Sequence, residues 1–123
     1  MNIPGVIEEL KKKHPGNKIF LSNRQNCTEV LCETDSAALH PSYSEVIAVI
    51  DKTDLHYHDG ARETYKVLKG VLTLIVDGRT LVLNEGQSYT IEPGEKHEAK
   101  GAETWVSCKS KPGWKKSDHK IIT

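Results

Sequence analysis

From residue 18 to residue 109 the chain is cut by turn-forming residues into apolar-rich pieces of four to seven residues. Pieces of that length suit β-strands, whereas packed helices need about 10–12 residues. Strands are expected at 18–21, 28–33, 44–50, 63–68, 71–76, 79–83, 88–91, 97–100 and 104–109. The segment 44–50, SEVIAVI, is apolar at both parities, which predicts burial on both faces. Asp77-Gly78 is a hairpin signal, because the favoured two-residue turn needs φ > 0 at both positions. Asn84-Glu85-Gly86 and Glu92-Pro93-Gly94-Glu95 turn the chain again. Short strands at close, regular spacing predict an all-β antiparallel sandwich or barrel. The tail, KPGWKKSDHKII, is expected to fold back as a last short strand.

Ahead of the strands, residues 4–13 read as a helix. Pro4 suits a first turn, where its missing N–H costs nothing. Val6, Ile7 and Leu10 form an apolar stripe. Glu8 and Glu9 lie early and Lys11-Lys12-Lys13 late, as the helix dipole prefers. Pro15-Gly16 stops the helix.

A chain of 123 residues fits one domain over 1–123. Seventeen basic and seventeen acidic residues cancel. The chain therefore lacks the positive field that draws a protein to a phosphate backbone, and no nucleic acid is expected as partner. No apolar run approaches the ~20 residues of a membrane span, so no membrane is expected either. The N-terminus lacks a signal-peptide layout, which leaves a cytoplasmic location as the expectation. Cys27, Cys32 and Cys108 are odd in number and contain no C-x-x-C pair. They are expected as free thiols in a reducing compartment, and Cys27 with Cys32 as zinc ligands is a poor reading.

The chemistry concentrates in two segments, LHYHDGARETYKVLKG and EGQSYTIEPGEKH. The first carries His56, His58 and Glu63 as H-x-H-x4-E, closed by Gly70; the second places Gly86, Gly94 and His97 as G-x7-G-x2-H. Residues two apart on a strand point to one face. His56 and His58 can therefore reach one ion while Tyr57 points away. Glu63 follows a turn at Asp59-Gly60-Ala61 and is expected on the strand pairing beside the first. His97 arrives from a separate hairpin. Three imidazoles and a carboxylate suit one divalent transition metal, Fe, Zn, Mn or Ni. Four protein ligands in an octahedral field leave two positions free. His14, His40 and His119 fall outside the pattern and are expected on the surface.

With these residues in place, the chain resembles a small single-domain member of the cupin superfamily. The first cupin motif matches at His56, His58, Glu63 and Gly70, the second at Gly86, Gly94 and His97, with 15 residues between Gly70 and Gly86. The resemblance covers about residues 44–109 and implies a cupin-type jelly-roll β-barrel, commonly dimeric. The family often has Gly, Pro and Asn where this chain has Ile50, Glu92 and Gly101. A homodimer is expected on two further grounds. A small barrel has exposed sheet edges, and segments 46–50 and 81–83 offer more apolar surface than one small barrel needs.

Tyr65 and Val67 share strand parity with Glu63 and should point inward. Tyr65 is the weak catalytic candidate, a hydrogen-bond donor to a substrate. On 104–109 either face can be the inner one: Trp105, Ser107 and Lys109, with Trp105 as a pocket wall, or Thr104, Val106 and Cys108, with Cys108 as an apolar filler. No Ser-His-Asp arrangement, phosphate loop or dinucleotide fingerprint is present. Two functions are expected. One is a metalloenzyme of dioxygenase, isomerase or lyase type acting on a small polar molecule; the other is a non-catalytic binding or sensor cupin. An acid or base beside the open metal positions favours isomerase or lyase chemistry, and an all-apolar lining favours O2 chemistry or apolar ligands.

Overall fold

A single long strand organises the molecule. In the computed structural model, which describes residues 1–123, helix α1 (Ile3–Lys13) precedes ten strands. These are β1 (Ile19–Arg24), β2 (Cys27–Asp35), β3 (Ser44–Lys52), β4 (His56–Tyr57), β5 (Arg62–Lys69), β6 (Leu72–Val76), β7 (Arg79–Leu83), β8 (Ser88–Ile91), β9 (His97–Lys111) and β10 (Lys120–Ile121). β9 pairs antiparallel with β3 and β4 along one edge and with β5 and β6 along the other. β1 adds to β2, β2 to β3, β7 to β6, β8 to β5 and β10 to β4. The result is one curled antiparallel sheet, which agrees with the antiparallel barrel that the turn spacing predicts and with the jelly roll that the cupin resemblance implies.

The expected strands 97–100 and 104–109 are one strand of 15 residues. Gly101-Ala102-Glu103 reads as a break because it lacks large apolar side chains. It is instead a bend within the strand, with Glu103 at φ 53° and a register shift opposite, between Ile50 and Lys52. The bend lets the two halves of β9 serve the two sides of the barrel. Gly101 has a steric reason for being there. A Cβ at this position would lie 2.5 Å from Thr104 Oγ1 and 2.8 Å from the Ile50 carbonyl. Thr104 cannot yield, since its hydroxyl donates to the Val71 carbonyl at 2.7 Å. Gly101→Ala is therefore expected to cost about 1–3 kcal/mol through overpacking and to lower the thermal unfolding midpoint by several degrees. An unchanged midpoint would show that the bend has room to spare.

Two apolar clusters explain the two-faced burial of β3. Ala48 and Ile50 point into the barrel with Val67, Leu72, Leu74 and Val106. Ile47 and Val49 point outward, under α1, with Val6, Leu10, Val30 and Trp105. The outward apolar face of 46–50, Ile47 and Val49, is thus covered by the chain's own helix, and it no longer argues for a second copy. The same alternation settles β9: Val106 and Cys108 are interior, while Trp105 packs beneath α1 and forms no pocket wall. Lys13 lies over its ring, with Nζ 4.9 Å from the centroid.

Helix α1 is capped by Asn2, whose side chain accepts from the Gly5 N–H at 3.2 Å. Glu8 and Glu9 lie past the first turn, so the dipole reading does not apply to them. They sit one turn before Lys12 and Lys13, with N–O separations of 3.5 Å in both pairs. Exposed pairs of this kind contribute little. No helix is long and apolar enough to cross a membrane.

Candidate metal centre

His56 lies on β4, His58 directly after it, Glu63 on β5 and His97 at the first position of β9. β4 is only two residues long, and it lays His56 opposite His97 in register. β5 pairs with β8 and β9 rather than with β4, so Glu63 reaches the site across the barrel interior and not from a neighbouring strand. All four residues are 5% exposed or less. At that depth each polar atom needs a partner. One ligand atom from each lies within 4.8 Å of all the others.

The hydrogen bonds behind the rings set their chemistry. His56 Nδ1 is 2.7 Å from the Asp54 carbonyl, His58 Nδ1 3.1 Å from that of Asp118, and His97 Nδ1 3.0 Å from that of Glu95. A carbonyl only accepts. Each Nδ1 therefore carries the proton, and each Nε2 presents a lone pair. His58 Nε2 lies 3.0 Å and His97 Nε2 3.4 Å from Glu63 Oε1, and a carboxylate oxygen also only accepts. These three atoms are buried without a hydrogen-bond partner. Converging acceptors in a dry interior call for a cation between them.

A proton is one such cation. Burial pulls His58 down, but the hydrogen bond and charge of Glu63 outweigh it and hold this imidazole above its usual value. Burial pushes Glu63 up, yet the bonded rings of His58 and His97 hold it well below the carboxylate range. His56 is pushed down to about 3, by burial and then by His97, and stays a neutral donor. One proton serves one nitrogen–oxygen pair and leaves the other lone pairs facing each other. A divalent transition metal serves all four at once. The donor set suits it, and the three carbonyls behind the rings are the outer partners that metal-bound imidazoles use. The residues fit the ion.

The centre faces a cavity of about 460 Å³ inside the barrel. Leu31, Val46, Ala48 and Ile50 give it apolar walls, and Glu29, Tyr65 and Cys108 give it polar ones. Glu29 is pushed up to about 7 by burial, then by the charges of Glu63 and Asp54. Asp54 is itself paired with Arg24 at 2.7 Å. Tyr65 lies on the inward face with Val67 as expected, its phenol held well above its usual value by burial and by Glu63. It remains an O–H donor. Cys108 Sγ is 3.7 Å from Glu63 Oε2, and burial holds its thiol protonated. It fills space and donates weakly. Cys27, Cys32 and Cys108 are free and buried.

His40 is outside the site, 2.7 Å from Asp35. His119 corrects the surface reading. Its ring centroid is 4.6 Å from that of His56 and 5.4 Å from that of His58. Burial, then the neighbouring His58, lowers its tendency to protonate. No spacing rule marks His119, because the tail's return puts it there. β10 pairs with β4, and the Ile122 N–H donates to the Leu55 carbonyl at 2.9 Å. Asp118 accepts from the N–H groups of Asp59, Gly60 and Ala61, at 2.8 Å from Asp59 and 3.1 Å from Ala61. The C-terminal segment is thus a strap over the loop that carries His58.

No curated protein sequence matches the chain. Among solved structures, Pac13 of Streptomyces, described as a nucleoside dehydratase, superposes with TM-score 0.74 at 14% identity, covering 86% of this chain and 84% of that one. A protein from Planctomyces limnophilus superposes with TM-score 0.73 at 20% identity, covering 86% and 90%. A cupin-2 domain protein of Rhodospirillum rubrum superposes with TM-score 0.74 at 13% identity, covering 89% and 77%. At these identities the likeness is one of fold. The cupin-domain family profile matches residues 43–104, half of the chain. Motif, barrel and profile agree, and the chain belongs to the cupin family.

Proposed function

We propose that the chain is a metal-dependent cupin enzyme of lyase or isomerase type. In this reading His56, His58, Glu63 and His97 hold one divalent transition metal beside a small polar substrate. The convergence of buried acceptors on one point carries the metal part of the reading. When bound, such an ion supplies Lewis-acid polarisation of a substrate oxygen. The chain's own groups supply the rest. The Tyr65 O–H donates to the substrate from the barrel wall. Glu29, near the midpoint of its titration at neutral pH, can hold or release a proton at its carboxyl oxygen. The apolar walls exclude water. An acid in the lining favours lyase or isomerase chemistry over the dioxygenase alternative. Pac13, a nucleoside dehydratase, shares this fold, and dehydration is an elimination. A cavity of about 460 Å³ accommodates a molecule of that size.

Elemental analysis of the purified protein tests the first step. One Zn, Mn, Fe or Ni per chain is expected. Protein that stays metal-free after incubation with each of these ions would remove the basis of the reading. If the metal binds and no polyhydroxy or hydroxy-acid substrate is turned over, the non-catalytic sensor reading takes its place.

The homodimer remains part of the proposal. β1, β7 and β8 each pair on one side only, and Val82 on β7 is 57% exposed. Sedimentation at micromolar concentration is expected to give twice the chain mass, and a monomer there would end this part of the reading.

A further inference from the structure

Four buried side-chain polar atoms lack a hydrogen-bond partner: His58 Nε2, Glu63 Oε1, His97 Nε2 and His119 Nδ1. The first three are explained by an ion. The fourth is not, because His119 falls outside the set of mutually close ligand atoms. Its ring lies against His56 and His58, and it lines the same cavity. Its place is held by the carboxylate of Asp118 on the 59–61 loop and by the backbone pairing of β10 with β4. A ring nitrogen placed so firmly and left unpaired is costly, unless something other than protein pairs with it.

The charge balance identifies what that is. A divalent ion with one carboxylate ligand is left with net positive charge. Asp54, whose carbonyl backs His56, has its carboxylate paired with Arg24. The open side of the ion thus favours a negatively charged oxygen or a small anion, and a neutral imidazole can turn an N–H toward it. We propose that His119, delivered by the C-terminal strap, is the hydrogen-bond donor to an anionic ligand atom at the exchangeable position of the metal. The ligand class is a small anion or the carboxylate, enolate or alkoxide oxygen of a chelating substrate. This rests on the metal reading above, and its test separates the two.

The test loads the protein with Co(II) and titrates azide, following the visible spectrum in wild type, His119→Ala and His119→Asn. Wild type is expected to bind one Co(II) and to change its spectrum with azide. His119→Ala should keep one Co(II) and bind azide about tenfold more weakly, the worth of one hydrogen bond to a charged group. Asn places a polar atom near the Nδ1 position, so His119→Asn should recover wild-type affinity to within about threefold. Equal azide affinity in wild type and His119→Ala overturns the proposal. So does equal weakness of the two variants, which assigns His119 a packing role. Loss of Co(II) from His119→Ala would make His119 a ligand of the ion and also overturn it. Failure of wild type to take up Co(II) defeats the metal reading itself, and the proposal with it.

Discussion

Replacement of His56 and His58 together with alanine is expected to leave a folded barrel that holds no stoichiometric metal. The two rings supply half of the four converging donors. Loss of one outer partner alone costs a metal site roughly 10–100-fold in affinity. Removing two direct donors should therefore lower affinity by well over about 10³-fold and leave Glu63 and His97 as a weak pair. The fold should survive. Neither histidine belongs to the apolar cluster inside the barrel or to the one under α1. The space vacated adjoins a cavity that is already open, so little packing is lost. Elemental analysis and circular dichroism on the same sample separate the two effects. A β-type spectrum with one metal still bound per chain would show that the ion sits elsewhere. A lost β spectrum would show that the rings are structural.

The clustering of His56, His58, Glu63 and His97 was legible in the sequence because each obeys a local rule. His56 and His58 share parity, Glu63 follows a turn, and His97 follows Pro93-Gly94 by a fixed interval. The barrel was legible for the same reason, since turn residues delimit strands one at a time. Long-range pairing left no such mark. Parity on 104–109 shows two faces but not which is inner; that is decided by α1, which covers Trp105 and leaves Val106 and Cys108 to the interior. Residues 101–103 look like a break because they carry no large apolar side chain, while the backbone runs on through the bend. Partners of β5 could not be deduced from a turn of Asp-Gly-Ala, because β8 and β9 come from distant parts of the chain. His119 is the clearest case. Its tail segment is polar and rich in lysine, so it reads as surface. What brings it inward is the carboxylate of its neighbour Asp118, bonded to the distant 59–61 loop.

That carboxylate carries the last prediction. Asp118 accepts hydrogen bonds from three consecutive amides, Asp59, Gly60 and Ala61, through both oxygens. Its own carbonyl receives the Nδ1 proton of His58 at 3.1 Å. One residue thus fixes the turn after His58 and the tautomer of His58. Asp118→Ala removes the acceptor from three amides at once. Hydrogen bonds to a charged group contribute about 1.5–3 kcal/mol, and a loss of that order in folding stability is expected. The strap then loosens at β10, and the carbonyl behind His58 is no longer held in place. Metal affinity should fall by roughly 10–100-fold, as it does when an outer partner of a ligating imidazole is lost. Stoichiometry at saturation should stay at one, because all four donors remain. This separates the variant from the double histidine replacement, where stoichiometry itself is lost. Asp118→Asn keeps one carbonyl oxygen and should fall between. Competitive titration with a zinc chelator reads the affinity, and urea unfolding of the metal-free protein reads the stability. If Asp118→Ala matches wild type in both, the strap is an incidental contact and the site is held by the barrel alone.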